Sequence, residues 1–141
     1  MIKTIKNTFK ISAILLLILP LVFFMTACGG NTSIDGTWNV SSITSGTTTK
    51  DRAQLEKELT DKNKTLDEQF NLVIKSDNTF ALVTPASKTA ITGTWTQDKN
   101  AKEDTYKLTT SDNKVYTATY ESTNTIKLLM TENEYTILKK K

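Results

Sequence analysis

Histidine is absent from the 141 residues and cysteine occurs once, at Cys28. Without histidine the chain has no Ser–His or Cys–His nucleophilic pair and no histidine-ligated zinc site. A lone cysteine forms no disulfide within the chain. The phosphate-cradling pattern G-x-x-x-x-G-K does not occur either. A basic excess is also missing where it would matter. Three of the 18 basic residues, Lys3, Lys6 and Lys10, lie in the first ten positions, so residues 28–141 carry 15 basic against 15 acidic side chains. Nucleic-acid binding needs a concentrated basic footprint, and a neutral chain supplies none.

The long hydrophobic run is confined to the start. Lys3, Lys6 and Lys10 precede "ISAILLLILPLVFFM", an apolar stretch from Ile11 to Met25 broken at Pro20. A charged segment, an apolar segment and then small residues read as an export signal over residues 1–27. The 15 apolar residues fall short of the roughly 20 that a spanning helix needs, although an uncleaved membrane anchor stays open as the alternative. Residues 28–33, "CGGNTS", read as a short tether, and residues 34–141 as one domain of ordinary size.

Within that domain apolar residues alternate with polar ones, which is strand texture. "GTWNVSSI" places Trp38 and Val40 on one face, and "EQFNLVIK" places Phe70, Leu72 and Ile74 together. Phe80 and Leu82 follow, then Ile91, Gly93 and Trp95, then Tyr106 and Leu108. The last three runs align Tyr116, Ala118 and Tyr120; Ile126, Leu128 and Met130; and Tyr135 with Ile137. Links such as "SDN", "SDNK", "STN" and "ENE" suit antiparallel neighbours, because parallel strands need crossovers of about a dozen residues or more. The reading is an all-β fold of eight antiparallel strands in an up-and-down meander.

One segment breaks the pattern. Leu55, Leu59 and Leu66 recur at helical spacing in a charged stretch, and Thr48 with Asp51 fits a capping box. This predicts one helix over about residues 50–60, continuing towards Leu66, between the first and second strands and covering an open end of the sheet.

The pentad I-x-G-T-W occurs twice, as "IDGTW" at Ile34 and "ITGTW" at Ile91. Eight meander strands avoid exposed edges by closing into a barrel, and glycine inside a strand marks a bend or a close backbone approach. Trp38 and Trp95 lie two residues beyond such glycines and are expected to fill the space that each leaves. Gly36-Thr37-Trp38 resembles the G-x-W motif that opens the first strand of lipocalins. The resemblance implies an eight-stranded lipocalin-like barrel whose tryptophan closes the floor. Met25-Thr26-Ala27-Cys28 resembles a bacterial lipobox, which implies that Cys28 becomes the mature N-terminus and carries a diacylglyceryl anchor at the extracytoplasmic face of the cell membrane. The chain departs from larger lipocalins in its short domain, its lack of a disulfide and its lack of a terminal arginine signature.

Function is read as a class. Trp38, Phe70, Leu72, Phe80, Trp95, Tyr106, Tyr116, Tyr120, Leu128 and Tyr135 are the candidate barrel lining, suited to a small apolar ligand oriented by tyrosine hydroxyls. The alternative is a barrel filled by these side chains, whose loops or helix dock another envelope protein. Carboxylates such as Glu56, Glu58, Asp61, Glu103, Asp104, Glu132 and Glu134 read as solvated surface charge, and "DKNAKED" lacks the ordered spacing of a calcium loop. No catalytic residue, metal or cofactor is expected.

Mass spectrometry of the membrane fraction is expected to find lipid on Cys28 at the mature N-terminus. A Cys28→Ala variant that is processed and anchored identically would remove that reading.

Overall fold

In a closed sheet each strand has two neighbours, so the pairings show whether alternation along the chain becomes a barrel. The computed structural model describes residues 33–59, 63–87 and 89–141. The expected export signal and Cys28 lie outside them. The strands are β1 (Gly36–Ser45), β2 (Thr48–Asp51), β3 (Asn71–Ile74), β4 (Thr79–Val83), β5 (Ile91–Gln97), β6 (Thr105–Thr110), β7 (Val115–Ser122), β8 (Thr125–Thr131) and β9 (Glu134–Lys140). Two short helices, α1 (Arg52–Glu58) and α2 (Leu66–Gln69), lie between β2 and β3.

Strands β3 to β9 pair consecutively and antiparallel, and β1 joins the two ends of the run by pairing with β3 on one edge and β9 on the other. The result is a closed eight-stranded antiparallel barrel of up-and-down topology. The ninth strand, β2, was not expected. It pairs with residues 42–45 of β1, alongside the part of that edge that the four-residue β3 leaves uncovered. The chain turns from β1 into β2 at Gly46, whose φ of 59° is costly for a residue with a Cβ.

β2 also corrects the helix. Thr48 is in a strand, and the cap falls three residues later: the Gln54 amide donates to Asp51 Oδ1 at 2.9 Å, and the Asp51 amide donates to Gln54 Oε1 at 3.0 Å. A second capping box between Thr65 and Glu68 starts α2, so the expected single helix is two. Arg52 joins them, holding Glu56 at 2.9 Å and Asp67 at 2.8 Å while donating to the Val40 carbonyl at 3.1 Å. Leu55 and Leu59 pack against the core, and Leu66 and Phe70 are buried in it. The helical connection therefore covers the end of the barrel where β1 finishes, as its apolar spacing predicts. This is called the helix end below, and the end where β1 begins is the floor.

The two pentad glycines share one cross-sheet row, Gly36–Ile74–Phe80–Gly93. At Gly93 a Cβ would overlap the Thr109 carbonyl of β6 and come within 2.8 Å of the Phe80 ring. At Gly36 φ is 137°, and a Cβ would meet Lys140 Cε at 2.7 Å. The space at each glycine is thus filled from a neighbouring strand, by Phe80 and Lys140, and not by the tryptophan two residues on. Close approach is the reason for both glycines, as expected; the filling groups differ.

β9 departs from its predicted parity. Thr136 and Leu138 are buried, while Tyr135 and Ile137 are half-buried and outside the core cluster. Pairing explains it, because Leu138 lies between Val40 and Ile126, and Thr136 between Ile43 and Leu128. A register shift between Val40 and Ser42 lets β1 follow this arrangement, and a bulge of this kind bends a strand and raises its twist.

Gly93→Ala is expected to cost about 1–3 kcal/mol, the usual range for forcing volume into a packed site. Gly46→Asn, at a position with no neighbouring atom within 4 Å, should stay within about 0.5 kcal/mol. Urea denaturation checks both, and equal midpoints would remove the close-approach role of Gly93.

Candidate functional site

The barrel interior is the place to look for a ligand site, since alternation directs the bulky side chains there. Trp38, Leu72, Leu82, Leu108, Ala118, Ile126, Leu128 and Leu138 each have 0% of their surface accessible. Zero accessibility means that no space of even water size adjoins them. The centre of the barrel is therefore solid, packed as protein interiors are. Of the candidate lining, Trp38, Phe70, Leu72, Phe80, Tyr106, Tyr116 and Leu128 are buried, and Trp95 and Tyr120 are half-buried against the same cluster. Tyr135 is the exception. Its ring lies on the outer face, with Lys127 Nζ 4.2 Å from the ring centroid, and so it does not line the interior.

Four aromatic rings form a row at the floor. Trp38 meets Tyr120 edge to face at 5.8 Å, Tyr120 meets Tyr106 at 6.1 Å, and Tyr106 meets Trp95 at 5.7 Å. Each such pair adds about 0.5–1.5 kcal/mol beyond its burial. The row links the tryptophans of the two pentads. Both indoles donate to backbone carbonyls, Trp38 to Ile34 at 2.9 Å and Trp95 to Lys75 at 2.9 Å. The segment before β1 completes this end: Ile34 is buried, and the Ser33 carbonyl accepts from Tyr120 Oη at 3.0 Å and from Lys140 Nζ at 3.1 Å. Lys140 also lies 5.4 Å from the Trp38 ring centroid, a cation–π contact. "KKK" at the C-terminus resembles a solvated tail in sequence, yet its middle member is part of the floor. Sequence reasoning also left out Ile34 and Leu138, which differ from their polar-flanked counterparts only in what pairs beside them.

The helix end is less completely covered. Ile43, Leu55, Leu59, Ile91 and Met130 pack against the core but remain partly exposed. Near the end of α2, Gln69 Nε2 is buried with no hydrogen-bond partner. A buried amide donor left unpaired costs about 1–3 kcal/mol, so this group would gain from an acceptor.

Outside the barrel, an open groove of about 580 Å³ crosses β4, β5 and β6, lined mainly by small and hydroxyl-bearing residues such as Thr79, Ala81, Thr92, Thr94 and Thr109. Among the described residues, Leu129 and Val115 are the exposed large apolar ones, at 38% and 51%. Among the described residues there is no cluster of three or more metal-ligating side chains, and no helix long and apolar enough to cross a membrane. The shifted carboxylates are local pairings: Thr79 hydrogen bonds, Lys107 and Thr110 hold Asp77, Asp98 and Asp112 respectively below the usual range.

No protein-family model matches the chain, and a search of characterised proteins gave no relative. Among solved structures, a DUF4847 family protein from Bacteroides vulgatus is similar, with 17% identity, a TM-score of 0.44, and coverage of 74% of this chain and 92% of that one.

The floor makes a pH-dependent contribution whose sign follows from the tyrosines. Burial, followed by the neighbouring Tyr106, Asp35 and Asp104, pushes the Tyr120 phenol up to about 12, and burial with Asp104 also raises Tyr106. The folded state favours the neutral phenol, so its contribution is whole below the ordinary value of 10.0 and is lost as pH rises through about 12. Denaturation midpoints followed across that window should fall more steeply in the parent than in Tyr120→Phe. Parallel curves would show that Tyr120 does not carry the effect.

Proposed function

We propose that the protein is a lipid-anchored envelope lipoprotein whose solid lipocalin-like barrel serves as an interaction module for another envelope protein. The anchor is the diacylglyceryl group at Cys28, at the extracytoplasmic face of the membrane. The observation that carries this reading over an internal carrier is the zero accessibility of the central side chains. A carrier must leave room for its cargo, whereas a scaffold gains stability from filling it. The reading involves no catalysis, which accords with a chain that has no histidine and no second cysteine.

A second reading has one specific observation in its favour and concerns the helix end alone. The partly exposed apolar group of Ile43, Leu55, Leu59, Ile91 and Met130, with the unpaired Gln69 amide nearby in the chain order of that end, suits a small apolar molecule bearing one hydrogen-bond acceptor. Such a ligand would sit under the helices and not in the barrel centre.

The two readings and the internal carrier separate in one experiment. A panel of fatty acids and similar apolar probes is titrated against the soluble domain and against Leu128→Trp and Met130→Glu. In a solid barrel Leu128→Trp destabilises by about 1–3 kcal/mol, and the panel gives no saturable response. Binding abolished by Leu128→Trp without loss of stability would establish the internal carrier. Binding abolished only by Met130→Glu, with a negative heat-capacity change, would establish the site under the helices.

A further inference from the structure

We infer that the outer face of β7, β8 and β9 packs against the same face of a second copy of this chain, about a two-fold axis that runs across the strands near Leu129. This goes beyond the envelope partner proposed above and does not rest on the anchor at Cys28. Burial alternates along these strands, so Thr117, Leu129, Tyr135 and Ile137 face away from the core, while Ala118, Leu128, Thr136 and Leu138 face into it. The exposed large apolar side chains among the described residues, Leu129 and Val115, both stand on this face. Pairing sets Leu129 between Thr117 and Tyr135, with Val115 two residues along β7 and Ile137 two along β9. Apolar side chains gathered on one face, and not scattered singly, mark a contact surface. These strands are paired on both edges, so a partner meets their face and cannot add a strand.

Charge identifies the occupant. On β8, β9 and the turn between them every lysine, Lys127 and Lys139 to Lys141, lies in the floor half, and both carboxylates, Glu132 and Glu134, lie at the helix end. β7 has the reverse order, with Lys114 just before it at the helix end and Glu121 near the floor. Lys114, Glu121, Lys127, Glu132, Glu134 and Lys139 form no ion pair with a described residue. Two copies of one face meet about an axis lying in the plane of contact. An axis along the strands would set lysine on lysine. An axis across them sets each strand on its own copy run in the opposite sense, so that Lys139 meets Glu132 of the second copy and Lys114 meets Glu121 of the second copy.

The midpoints of the pairs Lys114 and Glu121, Lys127 and Glu132, and Glu134 and Lys139 locate that axis. They fall between Thr117 and Ala118, between Leu129 and Met130, and between Thr136 and Ile137. Thr117 pairs with Leu129 and Leu129 with Tyr135, so all three lie within about two residues of one cross-strand row. On the β6 side Asp104 and Asp112 stand at opposite ends and would meet as like charges, which bounds the contact at β7. With 15 basic and 15 acidic residues from Cys28 onward, the two copies have no net charge to hold them apart.

The test uses residues 33–141, which form one compact unit containing the whole core cluster. Sedimentation equilibrium is followed from about 10 μM to about 1 mM, the range in which a small interface titrates. The weight-average mass should rise at least about 1.5-fold towards that of a dimer at low salt, and less at high salt. Leu129→Glu, Lys139→Glu and Glu132→Lys replace exposed side chains, so circular dichroism should be unchanged, and each should weaken association at least about tenfold. An equimolar mixture of Lys139→Glu and Glu132→Lys should associate as the parent does to within about threefold, because both contacts across the axis then join opposite charges. A parent that stays monomeric throughout would overturn the second copy as occupant and leave the face to a different protein. A mixture no more associated than its components, or parent-like association in all three variants, would overturn the two-fold arrangement.

Discussion

Closure at Trp38 is the constraint on which the rest of the structure depends. β1 must serve two edges at once, and its pairings with β3 and β9 meet at this residue, which faces Leu72 on one side and Lys140 on the other. The indole is wholly buried, its nitrogen is satisfied by the Ile34 carbonyl, and its ring carries the first contact of the aromatic row. A buried indole nitrogen needs such a partner, because an unpaired donor would offset much of what the ring gains by burial. Supplying that partner fixes the segment before β1. Once Ile34 is fixed, Ser33 follows, and two donors from β7 and β9 converge on its carbonyl.

The size of the domain then decides what the interior can do. Eight strands make a barrel only wide enough to be filled by side chains or to admit one small ligand. Here the strands are short, and β3 and β4 have four and five residues. Short staves leave few interior layers, and large side chains from opposite strands meet at the axis. The aromatic row takes the floor, and leucines and isoleucines take the centre. The ends and the outer face are thereby left as the places where sequence is free to vary without loss of packing.

Much of this architecture was legible in the sequence, because alternation with a period of two reports burial directly. Seven of the eight expected strands have their predicted inward parity, and the helical insert covers an open end, as expected of it. β9 was misread for a physical reason. "YTIL" has apolar residues of both parities, so only the neighbours Val40 and Ile126 select Leu138. β2 was missed since "TTKD" carries no apolar alternation; it is a strand because β1 offers it an unpaired edge. Among the candidate lining residues, Tyr135 fails through the same parity error. Between a lined cavity and a barrel filled by these side chains the sequence could not decide, because volume complementarity depends on how opposite strands face each other, and one-dimensional pattern carries no such information.

The recurrence of I-x-G-T-W can now be given one cause. Each copy supplies a glycine where a neighbouring group must approach the backbone, and a tryptophan whose nitrogen binds a carbonyl outside the strand ladder. The first copy stands at the closing seam and the second three staves round the barrel, on β5. Tyr120 and Tyr106 are the bridge between them. The two tryptophans stand three staves apart one way and five the other, and a row of rings through β7 and β6 joins them across the floor, which neither copy alone could cover. The copies differ in their surroundings. Trp38 is sealed by the segment before β1, while Trp95 has no such cover and remains half-buried. The seam that joins the segment before β1 to the last strand is thus the more tightly held of the two.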